Sequence, residues 1–238
     1  MATMQDTPQS RAARAATRAR LYRLLANAYL PPGESLIEAL RSGEAAMVVA
    51  EARATCPYLA YGEKFGGVPG AGSFAAPPDL AALRLEHTRL FADPRYLLVP
   101  CYESMYLDPS GGVMGEPARQ VTRIYAAEGL GMAGSFHDLP DHISVELEFL
   151  AYLCAHEGAA WIEADAPTAI GWIKKEAAFL HDHLLQWLPT FHSRLLKEAR
   201  LPFYHDISLL TYVFAFNDHH MTLAFARRVQ GRGGGRGP

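Results

Sequence analysis

Residues 139–154, LPDHISVELEFLAYLC, decide how the rest of the chain has to fold. At 100° per residue Ile143, Leu147, Leu150 and Cys154 share one helical face, widened by Leu153, Phe149 and Val145 on one side and Ala151 on the other. Ser144, Glu148 and Ala155 are left on the opposite, wet arc. An apolar arc that wide belongs to a core helix. His142 and Glu146, four residues apart, fall inside it beside Leu153 and Phe149, so an imidazole and a carboxylate are expected to be partly buried together. Burying either is costly unless it is paired or hydrogen-bonded. The pair therefore either pins a neighbouring loop or lines a groove.

This stretch lies in a run of one sign of charge. The fifty residues between Arg123 and Lys174 hold no Lys or Arg and eight carboxylates: Glu128, Asp138, Asp141, Glu146, Glu148, Glu157, Glu163 and Asp165. The whole chain is at −3, which leaves the remainder at +5. Such segregation is expected to produce a local negative potential that attracts a basic partner and repels nucleic acid.

Towards the C-terminus, residues 161–167 form a short break. Thr168–Trp187 reads as a helix with Ile170, Ile173, Ala177, Leu180 and Leu184 on one side, and Pro189 marks a kink or a stop. Residues 190–200 resume the helical period, Pro202 interrupts, and Asp206–Val229 is the last long helix. Its apolar positions are Ile207, Leu210, Val213 and Phe214, then Met221, Leu223 and Phe225. Towards the N-terminus, Glu116–Glu128 is a helix with Val121, Ile124 and Tyr125 inside. It follows the connector ADPRYLLVPCYESMYLDPSGGVMGEP, whose Tyr96, Pro100, Tyr102, Tyr106 and Met114 argue for packing as a wall rather than for disorder. Asp79–Ala92 is helical through Leu80, Leu83, His87, Leu90 and Phe91, and residues 57–78 are too rich in Gly and Pro to assign. Glu34–Ala54 is a helix with Leu36, Leu40, Met47 and Ala50 inward and Gly43 as a candidate break. Arg11–Leu30 is the first helix, stopped by Pro31-Pro32, with Arg11, Arg14 and Arg18 on its exposed side. No region alternates with period two, so the class is all-α. A single compact multi-helix domain is expected over 11–229, between a disordered N-terminus (1–10) and a flexible Gly/Arg tail (230–238).

With 50% hydrophobic residues in 238, the chain can bury a large core. No run of eighteen apolar residues suggests a membrane span, and no secretory signal is evident. Cys56, Cys101 and Cys154 are odd in number and widely spaced, which suits a reducing cytoplasm. Ten histidines invite a metal reading at His181-Asp182-His183 and Asp218-His219-His220, but adjacent histidines on a helix diverge and no Glu-x-x-His occurs. H-E-x-x-H, G-x-S-x-G and a P-loop are missing too, so no catalytic residue, metal or cofactor is assigned. The residues favour a binding protein whose partner is basic at one end and apolar along its length. A helical metal-dependent enzyme using the His/Glu cluster, and a regulatory or nucleic-acid-binding module using the Arg-rich ends, are the alternatives.

LEHTRLF (85–91), VPCYESMYLDPSG (99–111), LPDHISVELEFLAYL (139–153) and FLHDHLLQWLPTF (179–191) resemble, in order and approximate spacing, the TorD/DmsD/NarJ family of molybdoenzyme-specific chaperones. Pro-Asp-His followed by Glu-Leu is the most telling piece. The resemblance implies a TorD-like all-helical cytoplasmic chaperone, not an enzyme, monomeric or homodimeric. It would bind the twin-arginine leader, or a related N-terminal segment, of a molybdopterin oxidoreductase catalytic subunit until cofactor insertion is complete. It places the leader site at Leu90, Phe91, Pro100, Tyr102, Glu103, Asp141, His142 and Glu146. An arginine-headed leader does need carboxylates for bidentate pairing beside an apolar groove. One departure is His87, where the family's motif usually has an aromatic residue.

Overall fold

The computed structural model describes residues 7–56, 58–59, 74, 79–93, 96–109, 112–131 and 139–233; the irregular segment expected at 57–78 and the ends of both tails lie mostly outside these. Thr7 opens the first helix, α1 (Pro8–Ala28), through a reciprocal cap with Ser10, and Pro8 sits where no amide donor is required. Residues 8–10, expected to be disordered, are therefore helical. Gly43, at φ +79°, takes the left-handed turn that side chains disfavour, and it splits the next helix into α2 (Glu34–Arg41) and α3 (Glu44–Thr55). The turn resets the helical phase: Ala45, Val48, Val49 and Ala52 point inward, whereas Met47 and Ala50, expected inside, are exposed.

Then come α4 (Leu80–His87), α5 (Ser104–Leu107), α6 (Glu116–Ala127), α7 (Ile143–Ile162), α8 (Ala166–Phe179), α9 (Leu185–Glu198) and α10 (Pro202–Gly233). Two wide π-helical turns, Thr88–Ala92 after α4 and Leu180–Leu184 after α8, carry those helices on. Pro189 does not end α9. It stands near the start of that helix, just after a turn in which the hydrogen-bond register has already shifted. Pro202 begins α10 rather than merely preceding it, and α10 runs past the expected boundary at 229 to Gly233, so the tail is helical at its start.

Among the described residues there is no strand, only an isolated antiparallel bridge between Tyr102 and His142, and the class is all-α. The central helix α7 packs most extensively along α1, where Gly158 meets the small residues Ala12 and Ala15. Ile143, Leu147, Leu150, Leu153 and Cys154 are fully buried in the main core, which α1, α2, α3, α9 and α10 complete. A smaller cluster around Trp161, Ile170, Ile173 and Ala226 closes the other end of α7.

Arg18 overturns its expected exposure. It is buried and bonds to carboxylates from three helices: Asp218 on α10 through Nε (2.7 Å) and Nη2 (2.9 Å), Glu157 on α7 (2.6 Å), and Glu176 on α8. Tyr22 and Tyr58 hydroxyls donate to Asp218 at 2.8 and 2.6 Å. Burial alone would lower the Arg18 pKa, but the surrounding acids, Asp218 foremost, hold it well above its ordinary value.

Candidate functional site

The aromatic connector is laced to the start of α7. The Ile143 amide donates to the Cys101 carbonyl (2.8 Å), and the Glu103 amide donates to the Asp141 carbonyl (3.0 Å). The Val99 amide donates to the Leu90 carbonyl (3.0 Å), fixing the connector's other end on the wide turn after α4. This lacing brings together the residues that the sequence placed in one site. Tyr102 lies edge-on to His142, with ring centres 5.3 Å apart. Phe91 packs edge-on against Tyr29, Tyr204 and His87. His87 thus takes an aromatic's packing place while its Nε2 donates to the Tyr29 carbonyl at 3.2 Å.

The site lies beneath the surface. Leu90, Phe91, Pro100, Glu103, Asp141, His142 and Glu146 are buried and Tyr102 is half-buried. Of the eight carboxylates expected to make a negative face, Asp141, Glu146 and Glu157 are interior, Glu128 pairs with Lys175 (2.8 Å), Asp165 caps α8, and Asp138 lies outside the described residues. The acidic run reads as surface in the sequence because nothing local reveals its internal partners. Ser144, expected on the wet arc, is buried as well: His142 caps α7, its Nδ1 accepting from the Ser144 amide at 3.1 Å.

Asp141 Oδ2 accepts from the Ser104 amide (2.9 Å) and hydroxyl (2.5 Å), anchoring α5. Both Glu103 oxygens accept from His183 Nδ1, at 3.1 and 3.2 Å. Glu146 Oε2 accepts from Trp187 Nε1 at 3.2 Å. The remaining oxygens, Asp141 Oδ1 and Glu146 Oε1, are buried with no hydrogen-bond partner among the described residues. Burial, and then the neighbouring Glu103 and Asp141, push the Glu146 carboxyl well above the usual carboxylate range. Three interior carboxylates thus share one imidazole, one hydroxyl and one indole as side-chain partners, with no Lys or Arg bonded to them among the described residues.

The connector that carries Glu103 is unusually apolar for a surface: Tyr96 is 75% exposed, Val113 and Met114 are each 50% exposed, and Leu97 and Leu107 are open too. Sequence reasoning missed Ser104, Trp187 and His183, although His183 and Trp187 stand in the FLHDHLLQWLPTF motif. The wide turn at Leu180–Leu184 is what aims His183 at Glu103, and regular helical spacing does not foresee it. Among the described residues no group of three His, Cys, Asp or Glu could hold a metal ion. His183 and Asp218, from the two His/Asp motifs, are already engaged by Glu103 and Arg18. No helix among the described residues is long and apolar enough to cross a membrane.

The sequence profile of the nitrate reductase delta subunit family matches residues 63–193, which takes in the connector, α7 and the wide turn after α8. The chain belongs to that family. Chaperone protein TorD of Vibrio cholerae (strain O395) is 30% identical over 119 residues, 50% of this chain and 52% of that protein. Chaperone protein TorD of a Psychrobacter species is 28% identical over 122 residues, with coverage of 50% and 52%. The chain thus spans about half the length of the curated relatives it matches. A solved structure of a candidate redox enzyme maturation protein from Archaeoglobus fulgidus is 21% identical, with a TM-score of 0.48 over 84% of this chain and 91% of that one.

Proposed function

We propose that this member of the family is a cytoplasmic, non-enzymatic chaperone that binds the twin-arginine leader, or an equivalent N-terminal segment, of a molybdopterin oxidoreductase catalytic subunit and guards it until cofactor insertion is complete. Membership of the family and the likeness to proteins named TorD support the maturation role. The observation that carries the binding mode is the carboxylate trio Glu103, Asp141 and Glu146, with two unsatisfied interior oxygens, laced to a connector that exposes apolar side chains. Leaving such oxygens unpaired costs about 1–3 kcal/mol each, which a guanidinium would recover.

In this reading Leu90, Phe91, Pro100, Tyr102 and His142 seat the connector. A shift of the connector admits the leader's arginines to Asp141 and Glu146, and the leader's apolar stretch lies along Tyr96, Leu107 and Met114. Opening lowers the apparent affinity by the fraction of open molecules. Burial raises the Glu146 pKa in the free protein, so a guanidinium that pairs with it lowers that pKa and releases a proton over the interval between the two values, where affinity rises with pH. The protein acts as a monomer or homodimer and needs no cofactor.

The test is calorimetric titration of the full chain with a twin-arginine leader peptide of a molybdopterin oxidoreductase. Replacing both leader arginines by Lys is expected to weaken binding at least about tenfold, since an ammonium cannot make the forked contact. Buffers of different ionisation enthalpy should reveal proton release. A leader that binds equally well with Lys-Lys, releasing no proton, would overturn this binding mode.

A further inference from the structure

A cavity of about 430 Å³ opens where the smaller apolar cluster meets α10, and none of the connector's residues lines it. Its apolar wall is Ile173 from α8 with Met221 and Phe225 from α10, and Arg14 and Arg228 stand at the same cavity. The Arg14 guanidinium lies 4.7 Å from the centre of the Phe225 ring and that of Arg228 5.7 Å from it. Phe225 is itself packed edge-on against Trp161, at 6.1 Å.

A guanidinium laid on an aromatic face keeps its N–H edge free for a planar anion. Neither of these has a carboxylate within ion-pair distance among the described residues. The other polar lining is spent. Glu157 bonds to Arg18 and accepts from Trp161 Nε1 (2.8 Å), and Tyr58 and Thr222 hydroxyls point at Asp218. Arg18, 2.6 Å from the Glu157 carboxylate, offsets its repulsion of an incoming anion.

We propose that this cavity is a binding site for a small organic acid, an aryl or alkyl carboxylate whose anionic end pairs with Arg14 and Arg228 and whose apolar body rests on Ile173, Met221 and Phe225. Its volume falls within the range of small-molecule sites. It stands apart from the leader reading, since the two share no residue.

Calorimetric titration of the full chain with sodium 4-phenylbutyrate, with the neutral 4-phenylbutyramide and with inorganic phosphate tests it. The acid is expected to bind with Kd below about 1 mM, and the amide and phosphate each at least about tenfold more weakly. The Arg14→Ala/Arg228→Ala variant, with its melting temperature checked against the parent, should lose the acid's advantage over the amide. An acid that does not bind, an amide that binds equally, phosphate that binds as tightly as the acid, or a folded double variant that keeps the preference would each overturn the proposal. The acid and amide comparison needs no variant and decides the matter even if the double variant fails to fold.

Discussion

Two interior sites in this molecule each gather three carboxylates, and they are solved in opposite ways. At one, Glu157, Glu176 and Asp218 close on Arg18, and the phenols of Tyr22 and Tyr58 finish the shell. At the other, Glu103, Asp141 and Glu146 have, among the described residues, only the side chains of His183, Ser104 and Trp187. Among the described residues the first cluster leaves one oxygen, Glu176 Oε1, without a partner, and the second leaves two. A forked cation from α1 lets acids from α7, α8 and α10 be buried together, so the first cluster is a clasp. The second has the acids of a clasp without its guanidinium, which is why we read it as a receptor for one supplied from outside.

The largest expected effect breaks the clasp. Arg18→Leu removes the cation bonded to all three interior acids, and loss of one member of a buried charge cluster costs about 3–5 kcal/mol. Urea unfolding of the variant and the parent should show a midpoint shift of that size with little change in slope. A loss under about 1 kcal/mol would mean that the acids relax to water, and the contrast between the two clusters would fail.

A smaller effect resolves how the clasp tolerates three acids around one cation. Burial, against the pull of Arg18 and with Glu157 and Asp218 adding to it, lifts the Glu176 carboxyl from 4.5 to about 8. The folded state therefore holds a proton that the unfolded chain releases, so this group's contribution is complete below about 4.5 and is lost as pH rises towards about 8. Glu176→Gln, which stays neutral throughout, should flatten that decline by up to about 4 kcal/mol between pH 5 and 8.5. Parallel pH-dependent slopes in the two proteins would show that Glu176 titrates as an ordinary acid.

The clasp was the least legible part of the sequence. An arginine on an Ala-rich helix reads as exposed, and the acids that hold Arg18 stand 139, 158 and 200 positions away. The inward faces of α7 and α8 were legible because 3.6-residue periodicity records burial directly: Ile143, Leu147, Leu150, Ile170, Ile173 and Ala177 are all inside. Periodicity failed wherever the phase was reset, at Gly43 and at the wide turn holding His183. Of the candidate site, the grouping of the residues was legible but their depth was not. His142 and Glu146 were seen to enter the apolar arc, while the lacing of residues 99–104 over them arises from backbone pairing that carries no side-chain pattern.

The smallest expected effect on stability sharpens the comparison most. Glu146 resembles Glu176 in being buried with a raised pKa, yet among the described residues its only side-chain partner is the Trp187 indole. Its raised pKa favours the neutral carboxyl, and Glu146→Gln puts a neutral, hydrogen-bonding side chain of nearly the same shape in its place. Stability should change by less than about 0.5 kcal/mol, as expected when no cation is left unpaired. Leader binding should nonetheless fall at least about tenfold, because an amide cannot give up a proton to become a guanidinium's counter-ion. Paired unfolding and calorimetric measurements separate the outcomes. A variant that binds the leader normally but unfolds as readily as Arg18→Leu would make the second cluster a clasp like the first, with Trp187 in the place of the missing arginine.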